Sequence, residues 1–540
     1  MLVSNRTTST GSWTRCCLGP GPKPLFGSIQ MKSFFGSINE NPNEKIKHSR
    51  NQVARGLAMP GDVALDAASI AKDSPSSPAA TIALGRLAGN LGCSERNFHN
   101  LVQRAMPMRL DPIVVKNVPH LHSTARGIEL LDVHVMAPHE VFACYFDENR
   151  DMFMDCILGG DTGDGRREYW HRAEATEWFQ NSSFKDEIVA DPCGFIPFRL
   201  WNDDVAVTKT RSLTVTHISS ALASHVSSLY TKLLCFGVPL GFILPEGLDM
   251  VVGVVVWSLV QLMLGTWPAT DWRNEPWPAT HWRAQNSGRP LAGRFRGILA
   301  EITADWKALK EILKLPQHYG KTLCCHRCVA QRSLGPVGYM HFHTDAVHRR
   351  PESKRTHAAY MGDVAATPPA LTKLPWFHLS MVLADFMHCV CLGAAQSLVG
   401  NVLFACCVDG AFGYTTISRA DQRRGLQLRQ AWLDFKQHCK VHHIDHSQQM
   451  FTRAMLSMKS DSDAPMFKGK AANTMDVVEW LASLHSGGDH PPAHIHARGV
   501  CVRALARLWR RCKSSGRFFT PFEARSFHRD MRRFLLSYRI

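Results

Sequence analysis

The chain has 540 residues, 45% hydrophobic and 20% charged, a globular composition with room for two or three domains. Lys and Arg number 62 against 46 Asp and Glu, a formal charge of +16; this favours a polyanionic partner, nucleic acid first, and leaves open a merely basic protein. The 17 cysteines form no regular framework and several stand in apolar runs, which argues against secretion and for a reducing compartment, nucleus or cytoplasm.

Residues 1–75 are rich in Gly, Ser, Asn and Pro and read as a disordered segment, without the apolar core of a signal peptide. Residues 76–190 read as a small helical and strand region. Within it, Cys93 to Val102 resembles a short amphipathic helix with a Ser94 cap, either a packing helix or part of a DNA-binding unit. Short strands are expected at Pro112–Val115, Leu130–Val135 and Glu140–Phe146.

Gly194 to Trp201 and Leu213 to Ser219 read as a β-hairpin, the second strand alternating with period two, with Asp203 and Asp204 at the exit of the first. Leu233 to Leu264 imitates a membrane span, but Pro239, Pro245, Glu246 and Asp249 interrupt it. The uninterrupted part, Met250 to Leu264, has 15 residues, below the roughly 20 needed to cross a bilayer. A buried core helix and no membrane partner are expected.

Residues 266–290 carry a duplication, Trp267-Pro-Ala-Thr-Asp-Trp-Arg and Trp277-Pro-Ala-Thr-His-Trp-Arg. It reads as a small repeat in a tolerant loop, the alternative being a base-stacking platform. Residues 292–315 place Phe295, Ile298, Leu299, Ile302, Trp306, Leu309, Ile312 and Leu313 at spacings of three and four, which predicts one helix with Asp305 inside it. Further helices are expected over 376–404, 420–440 and 497–537, the last holding the densest basic run, Arg498 to Arg517. The fold class is α/β, with a sheet early and helices later.

Two motifs carry chemistry. Cys325-His-Arg-Cys328 can place two thiolates on one metal and is half a zinc site, with His341, His343, His348 or His388 available to complete it; two incidental cysteines are the alternative. Asp385-Phe-Met-His388 sets a carboxylate and an imidazole on one helical face. An Asp among apolar residues is costly to bury unless it is paired or binds metal, and it can also simply orient the His. There is no Gly-rich phosphate loop, nucleophile elbow or HExxH, so a metabolic hydrolase or oxidoreductase is not indicated.

The order of these features resembles the catalytic region of eukaryotic DDE/D transposases, nearest to the CACTA (En/Spm-like) group and its transposon-derived relatives. The matching segments are Pro197 to Lys209 with Asp203, Ala304-Asp305-Trp-Lys, Cys325-x-x-Cys328, Asp385-Phe-Met-His388-Cys-Val-Cys-Leu-Gly393 and Phe467-Lys-Gly-Lys-Ala-Ala. The resemblance implies an RNase H-like mixed sheet over 191–480 with a helical insertion, followed by a helical, basic and apparently truncated region over 481–540. It further implies three acids holding two Mg²⁺ or Mn²⁺ ions that clamp a phosphodiester. Carried over by position, Asp203 is the first acid and Asp305 the second. Cys325, Cys328, Asp385 and His388 form a metal-binding scaffold, with structural Zn²⁺ at the CxxC. The last acid is expected after Phe467-Lys-Gly-Lys-Ala-Ala, where Asn473 stands instead. Glu479, or Asp476, is the available substitute. The expectation is a transposon-derived, DNA-binding protein with impaired catalysis, nuclear or cytoplasmic, with a homo-oligomer among its states. The alternative is a zinc-stabilised interaction protein without DNA activity.

Overall fold

The computed structural model describes residues 110–121, 127–160, 162–206, 212–223, 231–239, 242–315, 338, 346–460, 462–485 and 492–538. The N-terminal segment, the Cys93–Val102 helix and the Cys325/Cys328 pair lie outside the described residues.

The predicted hairpin is present and longer than expected. Strand β3 (Phe195–Ala206) pairs antiparallel with β4 (Ser212–Ser220), from Phe198↔Ser220 to Ala206↔Ser212, so Asp203 and Asp204 lie within the strand rather than at its exit. β4 continues antiparallel to β5 (Leu233–Pro239). On the other side of β3 the sheet turns parallel: β6 (Arg296–Ala304) runs beside β3, and β7 (Val382–Ala384) beside β6. The order across this mixed five-stranded sheet is β5-β4-β3-β6-β7. Strands β1 (Ile113–Leu121) and β2 (Ile128–Val135) form a separate two-stranded sheet.

Three local expectations are corrected. The single helix over 292–315 is strand β6, then Asp305, then helix α4 (Trp306–Leu313), which this Asp caps by accepting the Ala308 N–H at 2.6 Å. β6 is covered on both faces, from Ile298 to Ala304 almost without a break, so it lacks the alternation that marks a half-exposed strand. Glu140–Phe146 is not a strand but part of helix α1 (Pro138–Glu148), which opens on a proline at a position where no N–H is needed. The expected helix over 376–404 begins as a 3₁₀ turn and β7; a π-helix then runs from Met387 to Ala394 into α5 (Ala395–Val408).

The apolar stretch 245–264 is helix α3 (Pro245–Leu264), starting at Pro245 itself. It packs against β6, α1 and β1, burying Val251, Val255, Leu259 and Leu262, each contributing about 1.5–3 kcal/mol. Asp249, which interrupts the apolar run, takes Lys314 Nζ at 2.6 Å and the Ala370 N–H at 3.2 Å. Pro245–Leu264 and Met387–Val408 are long and apolar enough to span a membrane by length and composition, and 61% and 44% of their apolar windows are buried in protein.

The sheet, α1 and α3 share one hydrophobic core. A second core runs from Cys391 to Phe534. It joins α5 to α6 (Ala420–Val441), α7 (Ala471–Leu484), α8 (Ala493–Ser514) and α9 (Pro521–Tyr538) around Phe435, Phe451 and Trp480. The duplicated loop braces the first core. Arg283 of its second copy binds Glu140 through both carboxylate oxygens, at 2.6 and 2.9 Å. Trp282 meets Trp267 edge-on at 5.5 Å. The guanidinium of Arg283 is thereby committed to the core, whereas Arg273 of the first copy is exposed and lies over the Trp272 ring at 4.7 Å.

Candidate metal centre

Strand register builds the site. Asn202 of β3 pairs with Ala304 of β6, and Ala304 with Ala384 of β7. The residue after each of these is an aspartate: Asp203 within β3, and Asp305 and Asp385 just past the carboxyl ends of β6 and β7, form one row across three parallel strands. Neighbouring strands lie about 4.8 Å apart, close enough for adjacent carboxylates to share a cation, and the carboxyl ends of parallel strands are where open α/β sheets place ligands.

The third aspartate does not complete the cluster itself. Asp385 is 5% exposed; its Oδ1 accepts the Met387 N–H at 2.8 Å and its Oδ2 meets Nδ1 of His388. His388 joins Asp203 and Asp305 instead, and one ligand atom from each of the three lies within 4.8 Å of the others. Donors about 2.1 Å from a common divalent ion sit at most about 4.2 Å apart, so small side-chain rotations would close the set. Two carboxylates and an imidazole suit such an ion. Of the motif expected beside the acids, His388 is thus part of their cluster.

The electrostatics separate Asp203 from Asp204. Burial raises the Asp203 carboxyl above its ordinary value; the Asp204 N–H and His388 pull it down and Asp305 pushes it up. Asp204 is engaged elsewhere, accepting Thr214 Oγ at 2.9 Å and pairing with Lys307 at 3.0 Å. Successive residues of a strand point to opposite faces, which is why only one of the two acids reaches the cluster.

The acids offered for the last position are not brought to it. Glu479 lies on α7 in the second core, where its carboxylate pairs with Lys513 at 2.7 Å and Arg510 at 4.0 Å. Asp476 is half-buried beside Lys513 and Glu479, and burial raises its carboxyl. Asn473 makes two hydrogen bonds with Ser447, to its N–H at 3.3 Å and its Oγ at 3.2 Å. The pairing of Glu479 is local to the α7–α8 packing, and the signal for His388 was the DxxH spacing.

The C-terminal basic run is largely engaged within the protein. Arg498 pairs with Asp409 at 2.6 Å, Arg507 and Arg511 with the buried Asp530 at 3.0 and 3.5 Å, and Arg510 and Lys513 with Glu479. Arg503 donates to the His485 carbonyl and Arg517 to that of Gly159. These residues hold the C-terminal helices together. Burial pushes the Cys391 thiol up to about 12.

No protein-family model matches the chain, and no curated protein matches its sequence.

Proposed function

We propose that the chain is a transposon-derived relative of the CACTA-type DDE/D transposases, with an RNase H-like core that binds DNA and a divalent ion and retains weakened strand-cleaving chemistry. The observation that carries this reading is the placement of Asp203 and Asp305 one residue past the paired Asn202 and Ala304 of two adjacent parallel strands, with His388 beside them. The sheet supports it: antiparallel and parallel pairings in one five-stranded sheet accord with the mixed sheet that the resemblance implies.

In this reading Asp203 and Asp305 hold the ion and Asp385 keeps the His388 ring in place. A bound divalent ion supplies Lewis acidity at a phosphodiester and lowers the pKa of a coordinated water. The weakness follows from the missing third carboxylate: Asn473 stands where the resemblance expects a Glu, and its amide is committed to Ser447. Phosphoryl chemistry with two ions needs carboxylates to neutralise them.

The test is DNA strand cleavage by the full chain with Mn²⁺, wild type against Asp203→Ala. Slow nicking lost in the variant is expected; equal nicking by both sinks the reading. The internal pairing of the C-terminal arginines favours a second reading, a metal-stabilised interaction protein without a DNA role. A salt titration separates the two, because phosphate-driven affinity falls steeply with salt and an unchanged or absent affinity leaves only the second.

A further inference from the structure

We infer that His388, oriented by Asp385, is a direct metal ligand, and that this site selects a divalent transition-metal ion over Mg²⁺. The inference rests on the proposed metal site and deepens it by naming the class of ion and the third ligand. The resemblance places three carboxylates around Mg²⁺ or Mn²⁺ and assigns the DxxH pair to a neighbouring scaffold. The geometry here differs on both points.

Three observations converge on His388. Its ring belongs to the cluster with Asp203 and Asp305. Its Nδ1 is held by the carboxylate of Asp385, which is itself fixed by the Met387 N–H at 2.8 Å. A carboxylate accepts and does not donate, so a neutral His388 ring carries its proton on Nδ1 towards Asp385 and leaves the Nε2 lone pair for a metal; a carboxylate behind a histidine is the usual support of a metal-bound imidazole. Finally, His388 sits in the first turn of the π-helix Met387–Ala394, and π-helical turns concentrate at functional sites. Gly393 allows the turn to close, since a Cβ there would stand 3.0 Å from the His388 carbonyl oxygen.

The nitrogen donor decides the ion. Mg²⁺ is hard, keeps several waters and prefers oxygen, whereas imidazole suits later divalent ions. Mn²⁺ accepts both donor types and has little affinity for thiolate, so used as a probe it leaves Cys325 and Cys328 out of the readout.

The experiment is calorimetric titration of the full chain with Mn²⁺ and with Mg²⁺, on wild type, His388→Ala and the near-isosteric Asp385→Asn, with circular dichroism to confirm folding. Wild type should bind Mn²⁺ at least about 10-fold tighter than Mg²⁺. Asp385→Asn should lose about 10–100-fold in Mn²⁺ affinity, and His388→Ala should lose the preference for Mn²⁺. Equal binding of the two ions by wild type, or an unchanged preference in His388→Ala, overturns the inference. Should His388→Ala fail to fold, Asp385→Asn decides alone, and unchanged Mn²⁺ affinity in it overturns the inference. Selective ion binding without DNA cleavage would overturn the proposed function only. Asp203-dependent cleavage with an unaltered ion preference in His388→Ala would overturn this inference only.

Discussion

Asp203 and Asp305 stand one residue beyond the paired residues Asn202 and Ala304 on adjacent parallel strands. Two carboxylates held this close repel each other, and a cation between them relieves the repulsion. Mn²⁺ should therefore raise the thermal midpoint of the wild type, by about 2.7 kcal/mol of stabilisation at 100 times the dissociation constant. Asp203→Asn should remove that response while raising the midpoint of the ion-free protein. Calorimetry with and without Mn²⁺ reads both; a variant that still responds fully would remove Asp203 from the site.

Glu479 should behave in the opposite way. Its partner Lys513 is half exposed and Glu479 itself is 16% exposed, so the pair contributes roughly 1 kcal/mol or less. Glu479→Gln should lower stability slightly and leave Mn²⁺ binding as it was. If it abolished Mn²⁺ binding, α7 would supply the third ligand after all.

The Glu140–Arg283 pair is buried at both ends, with side-chain exposures of 2% and 7%. Removing one partner strands the other charge, which costs about 3–5 kcal/mol. Arg283→Met should therefore unfold at clearly lower denaturant concentration than the wild type. A change below about 1 kcal/mol would mean that the duplicated loop is dispensable to the core.

His139 sets a pH dependence. Burial, reinforced by Arg283, holds its imidazole down at about 3, and its Nδ1 meets Ser258 Oγ at 2.7 Å. The unfolded chain takes up this proton near pH 6.5 and the folded one only near 3, so the unfolded state binds more protons in between. Stability should fall as the pH drops from about 6.5 towards 3, by up to about 1.4 kcal/mol per pH unit from this one group. His217, lowered to about 4 by burial and Lys232, acts in the same direction. Urea unfolding of wild type and His139→Gln across this range should show the shallower slope in the variant; parallel curves would exclude His139 as a source.

Much of the local structure could be read from residue periodicity, and the exceptions have physical causes. The period-two run Leu213 to Ser219 announced β4, because one face of that strand is less covered than the other. Ile298, Leu299 and Ile302 read as helix because a strand buried on both faces shows no alternation, and their spacings of three and one also fit a helical stripe. The same ambiguity hid α1, whose first turn through Glu140 is buried throughout. It also blurred Asp305, which appeared to stand inside a helix and instead links the end of a parallel strand to the helix that it caps.

The sequence by itself determined which side chains are available for chemistry: Asp203, Asp305, and the Asp385-x-x-His388 spacing that lets one residue orient the other. It also determined the hairpin, the apolar helices and the surplus of basic residues. Tertiary structure decided which of these meet. Register across β3, β6 and β7 set the three aspartates in one row and brought Asp203 and Asp305 beside the His388 ring that Asp385 orients. Helix packing bound Glu479 to Lys513, and Arg498, Arg507, Arg510 and Arg511 to acids on other elements. The reason is that local sequence encodes period and composition, whereas strand register and ion pairing join residues far apart in the chain and exist only once the cores have closed.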